Sequence, residues 1–208
     1  MNKILEELLI EYPRLEVCRG DIEAAFELLR DCYKNGGRVF VCGNGGGASA
    51  AEHIVGELSK SFKKQRQIST ELSDKLRTLG EGGKYLAKEL EGALPAISLN
   101  SQASLITAFA NDKAWDAAYA QQLYGLGRTG DCLISISTSG NAKSCVYATL
   151  LAKAIGINSL SFTGAGGGRL KEYSTLTVSV PECETYKVQE LHLPIYHALC
   201  AMLEEEFF

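Results

Sequence analysis

Two short runs concentrate the groups in this chain that could hold an anion: Gly43-Asn44-Gly45-Gly46-Gly47 and Ser137-Thr138-Ser139-Gly140-Asn141. Glycines let backbone N–H groups close around an oxyanion where a helix starts, and Ser and Thr hydroxyls add donors without a metal or a basic cluster. Each run by itself is ambiguous, because a glycine-rich run also makes a plain tight turn and Ser or Thr at a helix start commonly caps it. Two such loops in one chain favour a phosphomonoester over two unrelated caps. The dinucleotide spacing GxGxxG is not met: Ala48 stands three positions after Gly45, and no Asp or Glu ends a following strand in the expected way. No nucleotide cofactor is therefore expected.

Just beyond the first loop, His53 and Glu57 are four residues apart on one helical pattern, so their side chains face the same way. A solvent-exposed helical pair would have the same spacing. The two other histidines, His192 and His197, share a last helical segment with Gln189. Eight positions separate Gln189 from His197, about 80° around a helix, so the two can share a face. His192 is about 140° from His197 and reads as structural. For His197 the residues leave a structural and a functional role both open.

The elements that must position these groups follow from periodicity. Leu5, Leu8 and Leu9, then Ile22, Ala25, Leu28, Leu29 and Cys32, predict two amphipathic N-terminal helices within residues 1–36, ending near Asn35-Gly36-Gly37. Strands are expected at Arg38–Cys42, Leu94–Leu99, Asp131–Ile136, Asn158–Phe162 and Thr175–Val180. Helices are expected at Ala48–Phe62, Ser101–Ala110, Ala114–Leu126, Ala142–Ala154 and Glu184–Glu206. Pro194 lies inside the last and predicts a kink just before His197. Strands alternating with helices make this an α/β chain with a doubly wound, mostly parallel five-stranded sheet, whose ligands sit at the carboxyl ends of the strands. Residues 59–92 form a polar insertion around Gly80-Glu81-Gly82-Gly83. It reads as a solvated loop with a helical piece near Tyr85–Leu90, or else as a lid or interface element.

With 208 residues, 46% of them hydrophobic, the chain is expected to be one domain over 1–208. Its net charge of -4, with Lys and Arg scattered, argues against nucleic acid or anionic membrane as partner. Seven cysteines, an odd number without a CxxC pair, read as reduced, buried thiols. Met1 to Pro13 lacks a signal-peptide pattern and no run suits a membrane span, so a soluble cytoplasmic protein is expected.

Taken in order, Cys42-Gly43-Asn44-Gly45-Gly46 with His53 and Glu57, Ala110-Asn111-Asp112, Ile136 to Asn141, Thr163-Gly164, and Val188-Gln189-Glu190-Leu191-His192 with His197 resemble the phosphoheptose isomerase family of the SIS (sugar isomerase) fold. The likeness extends over nearly the whole chain outside 59–92. It implies a single SIS domain that converts sedoheptulose 7-phosphate to D-glycero-D-manno-heptose 7-phosphate through an enediol, a step toward activated heptose for surface polysaccharides. It makes Glu57 the base and His197 the acid, on opposite sides of the sugar. Ser137, Thr138 and Ser139 would hold the phosphate, with Gly45, Gly46 and Asn141 beside them, while Asn44 and Gln189 would orient the sugar. Some relatives bind zinc through positions matching His53, Glu57, Gln189 and His197, a plausible if unusual ligand set. The family also implies a homotetramer with sites built between subunits, and the N-terminal helices are the candidate interface.

Departures bear on the substrate. Serines are usual where Gly47 and Ala142 stand, an acidic residue before the last motif is matched only loosely by Glu184, and the 59–92 insertion is long. Two non-catalytic alternatives share the fold: a protein that associates with a replication initiator, which lacks counterparts of Glu57 and His197, and a sugar-phosphate sensor.

Overall fold

The computed structural model describes residues 2–208. Helix α1 (Lys3–Glu11) starts at Asn2, whose Oδ1 accepts the Ile4 N–H at 3.0 Å and so satisfies a donor that the first turn leaves unpaired. Pro13 opens a 3₁₀ turn (Pro13–Cys18) that leads into α2 (Arg19–Lys34), which buries Ile22, Ala25, Leu29 and Cys32 at helical spacing and ends at Asn35. Strand β1 (Val39–Gly43) runs through the centre and feeds α3 (Gly46–Ser59).

The polar insertion then differs from the expected loop. It forms a helical hairpin, α4 (Thr70–Arg77) and α5 (Gly80–Glu89), so the helical piece begins at Gly80 rather than near Tyr85. The glycine run is used for contact. A Cβ on Gly83 would fall 1.9 Å from the carbonyl oxygen of Leu76, so only glycine lets the two helices cross this closely.

Strand β2 (Ala96–Ser98) is followed by α6 (Ala103–Asp112), a 3₁₀ turn (Trp115–Ala117), α7 (Ala118–Leu126) and β3 (Cys132–Ile136). Then come α8 (Lys143–Ala154), β4 (Asn158–Thr163), α9 (Gly168–Tyr173), β5 (Leu176–Ser179) and α10 (Thr185–Phe207). The short α9 and the 3₁₀ turn at Trp115 had no signal in the periodicity. Helix α10 runs unbroken from Thr185 to Phe207 with Pro194 inside it. The proline removes one rung of the ladder, while Leu191, Ile195 and Leu199 are buried in the core and hold the turns on either side.

The five strands found among the described residues are ordered β2-β1-β3-β4-β5, and every neighbouring pair is parallel. Such a sheet is buried on both faces, and β1 and β3 are buried along their whole length. Val39 and Val41 face one core with α2, α3 and α10; Phe40 and Cys42 face the other with α6, α7 and α8. The chain leaves β1 for β2 on one side and returns past β1 to reach β3 on the other. Helices α3 and α8, which follow β1 and β3, therefore pack on opposite faces and open a crevice at the carboxyl ends of those two strands. Six of the seven cysteines are buried free thiols; Cys183, expected to be buried, lies exposed in the turn before α10. Among the described residues no helix is long and apolar enough to cross a membrane.

Candidate active site

The crevice between β1 and β3 holds a cleft of about 310 Å³ whose walls are the two loops singled out in the sequence, Asn44–Gly47 and Ser137–Ser139, closed by Thr185 and Gln189 at the start of α10. Three helices begin around it, α3, α8 and α10, so their N-terminal dipoles favour a negative charge there. The Ser137 Oγ accepts the Ala142 N–H at 3.3 Å and the Ser139 Oγ accepts the Asn141 N–H at 3.2 Å. Each hydroxyl thus accepts from its own loop and keeps its hydrogen for a ligand.

Two residues expected to touch substrate are engaged elsewhere. Asn141 does not line the cleft: its Nδ2 donates to Ser139 O at 2.9 Å and its Oδ1 accepts the Arg169 N–H at 3.1 Å, which ties the loop to α9. Asn44 lines the cleft, but its Nδ2 donates to Ser144 Oγ at 3.0 Å and its Oδ1 lies 3.4 Å from the Tyr119 hydroxyl. That hydroxyl donates to Gly43 O at 2.7 Å, so the amide of Asn44 is held as part of the loop's framework.

Gln189 joins this cleft to a second one of about 400 Å³ that runs between α3 and α10 and is lined by Gly46, His53, His192 and Tyr196. The approach is close. A Cβ on Gly46 would come within 2.6 Å of Gln189 Nε2, which is why the glycine at that position cannot be exchanged without moving the amide. At the far end, His53 Nε2 lies 3.2 Å from Glu57 Oε1 and 3.5 Å from His197 Nε2, while His53 Nδ1 lies 3.0 Å from the Tyr196 hydroxyl. The structure brings His53, Glu57 and His197 together. Glu57 and His197 both approach the same nitrogen of His53.

The environment of each group follows from burial. His197 is lowered below the usual imidazole range, first by burial and then by His53 beside it, with Glu57 opposing, so it is neutral near pH 7. Burial, followed by Cys200 and Glu57, pushes the Tyr196 phenol up to about 12, so it stays protonated. Glu57 Oε2 is buried without a hydrogen-bond partner. His192 is buried with its Nε2 3.1 Å from Thr163 O, and burial pushes it down to about 4 against that hydrogen bond, in keeping with a structural role.

Comparison with known proteins agrees with this architecture. The model of the SIS domain family matches residues 14–78. A phosphoheptose isomerase of Nitratiruptor sp. is 33% identical over 212 residues, covering 100% of both chains. One from Akkermansia muciniphila is 32% identical over 197 residues, covering 95% of this chain and 91% of the relative. The chain belongs to the phosphoheptose isomerase family. The solved phosphoheptose isomerases of Francisella tularensis and Neisseria gonorrhoeae, each 27% identical, superimpose with TM-scores of 0.76 and 0.72 over 96% and 97% of this chain and 92% and 89% of theirs.

As a member of the phosphoheptose isomerase family, the chain can be asked whether it fits a zinc ion. The spacings of 3.2 and 3.5 Å around His53 Nε2 are close to the roughly 3.3 Å edge of a tetrahedron with bonds of about 2.0–2.1 Å. Yet among the described residues no three His, Cys, Asp or Glu side chains converge on one point.

Three features of this family member were missed in the sequence. Tyr196 lies seven positions after Gln189, about two turns, so helical arithmetic alone puts it on the same face. Thr185 adds a hydroxyl to a cleft in which Gly47 and Ala142 supply none. The third is a buried ion pair from the polar insertion: Arg66 donates to Glu204 Oε1 at 2.8 Å, to Leu58 O at 2.7 Å and to Glu57 O at 2.8 Å. Nothing in periodicity marks a lone arginine in a charged stretch as a buried one.

Proposed function

We propose that the chain interconverts sedoheptulose 7-phosphate and D-glycero-D-manno-heptose 7-phosphate. The observation that carries this reading is the continuity of the two clefts across Gln189, from hydroxyl-lined loops at three helix starts to His53, behind which Glu57 and His197 lie within 3.2 and 3.5 Å. The phosphate is held at Ser137, Thr138 and Ser139, with Thr185 beside them. The sugar extends past Gln189 toward His53. Glu57 takes the proton from C1 of the ketose while an imidazole gives a proton to the C2 oxygen, forming the enediol; proton return to C2 and loss of the O1 proton produce the aldose. His197, neutral near pH 7, is suited to both giving and taking the proton on oxygen. The seven-carbon substrate is supported by the names of the relatives, whereas the reaction class is supported by the site.

Zinc, a homotetramer and a cytoplasmic location belong to the same proposal. His53, Glu57, Gln189 and His197 would supply the zinc donors, and the ion would polarise the sugar oxygens. The protons move as above with these residues alone. The test is turnover of sedoheptulose 7-phosphate and of shorter ketose phosphates by purified protein, with and without a chelator. Turnover of the heptulose phosphate is expected. Activity confined to a shorter ketose would overturn the substrate, and indifference to the chelator would remove zinc.

A further inference from the structure

Strand β1 outruns its neighbour β2 on the side of the first anion loop. Their last shared rung is the Leu99 N–H on Val41 O at 2.9 Å; beyond it the Leu99 carbonyl is taken by Gln122 Nε2 at 2.9 Å and the chain turns away into α6. In a parallel ladder the N–H and C=O of one residue face the same neighbour, so both polar groups of Gly43 are left without a backbone partner on that side. The side chain of Asn100 fills the gap. Its Oδ1 accepts the Gly43 N–H at 3.2 Å and its Nδ2 donates to Gly43 O at 2.8 Å, so a carboxamide takes the place of the missing peptide. The other hydrogen of Nδ2 goes to the Tyr119 hydroxyl at 2.6 Å, which itself donates to Gly43 O at 2.7 Å. Burial pushes the Tyr119 phenol up to about 12, so it keeps the hydrogen for that bond.

We infer that Asn100, backed by Tyr119, is a positioning residue for phosphate binding: it fixes the Gly43 peptide, from which the Asn44–Gly47 loop springs, and so sets where the N–H groups of that loop point. Past Gly43 the loop is closed on itself, with the Gly47 N–H on Asn44 O at 2.9 Å and the Ala48 N–H on Gly45 O at 3.0 Å, so it turns as one piece about its entry. Groups that bind a ligand work only when their neighbours hold them to within about half an ångström, and a peptide released at Gly43 loses that hold. Asn100 itself lines neither cleft. The inference rests on the reading that the first cleft takes the substrate's phosphate, and it adds what aims the loop.

N100L keeps the size of the side chain and removes both of these partners of Gly43. Two hydrogen bonds lost at the loop's entry should weaken phosphate binding about tenfold, read as the Kd of inorganic phosphate by calorimetry and as KM for sedoheptulose 7-phosphate. The rate constant kcat should stay within about twofold, because Glu57 and His197 are untouched. Y119F removes one donor to Gly43 O and leaves the ring packed, so its Kd should rise by about threefold; this variant decides the question if N100L does not fold. A folded N100L with a lower unfolding midpoint and the wild-type Kd would make the contact purely structural and overturn the role, as would a fall in kcat with Kd unchanged, or an unchanged Kd in Y119F. Wild-type protein that binds no phosphate would remove the phosphate reading and this role with it; wild-type binding that neither variant weakens would remove the role alone.

Discussion

At the scale of single residues, the chemistry rests on Glu57 keeping one oxygen against His53 while the other, without a hydrogen bond, lies 3.8 Å from the Lys60 ammonium. Glu57→Gln keeps the shape but cannot take a proton, so product formation should vanish while inorganic phosphate still binds by calorimetry. His197→Asn should lower the rate by a factor on the order of 10² to 10⁴, the usual worth of one positioned acid or base; loss of folding instead would make the imidazole structural. His192 gives a pH prediction of a different kind. Its imidazole titrates near 6.5 when unfolded and at about 4 when folded, so between those values the unfolded chain binds a proton that the native state refuses. Its contribution, about 3 kcal/mol for that gap, is complete above pH 6.5 and is lost as the pH falls toward 4. In denaturant titrations His192→Gln, which retains a donor for Thr163, should flatten the fall in stability across that window. An equal slope in both proteins would contradict the assignment.

At the scale of elements, the site depends on how α3 is held against α10, since Glu57 rides on one and His197 on the other. Arg66 and Glu204 form that link. Besides the arginine, Glu204 accepts the N–H groups of Phe62 at 2.8 Å, Lys63 at 2.7 Å and Lys64 at 3.0 Å. Burial works to raise its carboxyl, but the Phe62 and Lys63 N–H groups, the guanidinium and the Lys64 N–H outweigh it and hold the group below the ordinary range. Removing one member of a buried pair typically costs about 3–5 kcal/mol, so Arg66→Met should lower the unfolding midpoint sharply in a thermal melt. Replacing both, as in R66M/E204L, often restores stability at an isolated pair. Here it should not, because the three backbone donors would lose their acceptor. Recovery of the midpoint in the double variant would show that the pair, and not the loop it caps, is what counts.

At the scale of the whole molecule, the order β2-β1-β3-β4-β5 places both anion loops on either side of one crevice. It also leaves Ile10 and Val17 exposed near the N-terminus, and Leu79 and Tyr85 exposed on the α4–α5 hairpin. For the proposed homotetramer, light scattering on a size-exclusion column should give a mass near four times the 22.5 kDa of one chain. A monomer at micromolar concentration would count heavily against sites shared between subunits.

What was legible in the sequence was local. Alternating strand and helix patterns marked all five strands to within two residues at either end, and glycine and hydroxyl runs marked the anion loops, because turn chemistry and apolar periodicity are written in neighbouring residues. The four-residue spacing of His53 and Glu57 was readable for the same reason. Tertiary structure alone decided that His197 meets His53, that Asn44 is tied to Ser144 and Asn141 to Arg169, and that Arg66 is buried under Glu204. Each of these is a contact between residues 28 to 144 positions apart, set by how α3, α9 and α10 pack on the sheet. Side-chain partners at such separations leave no period in the chain; they exist only once the crossover from β1 to β3 has brought the helices together.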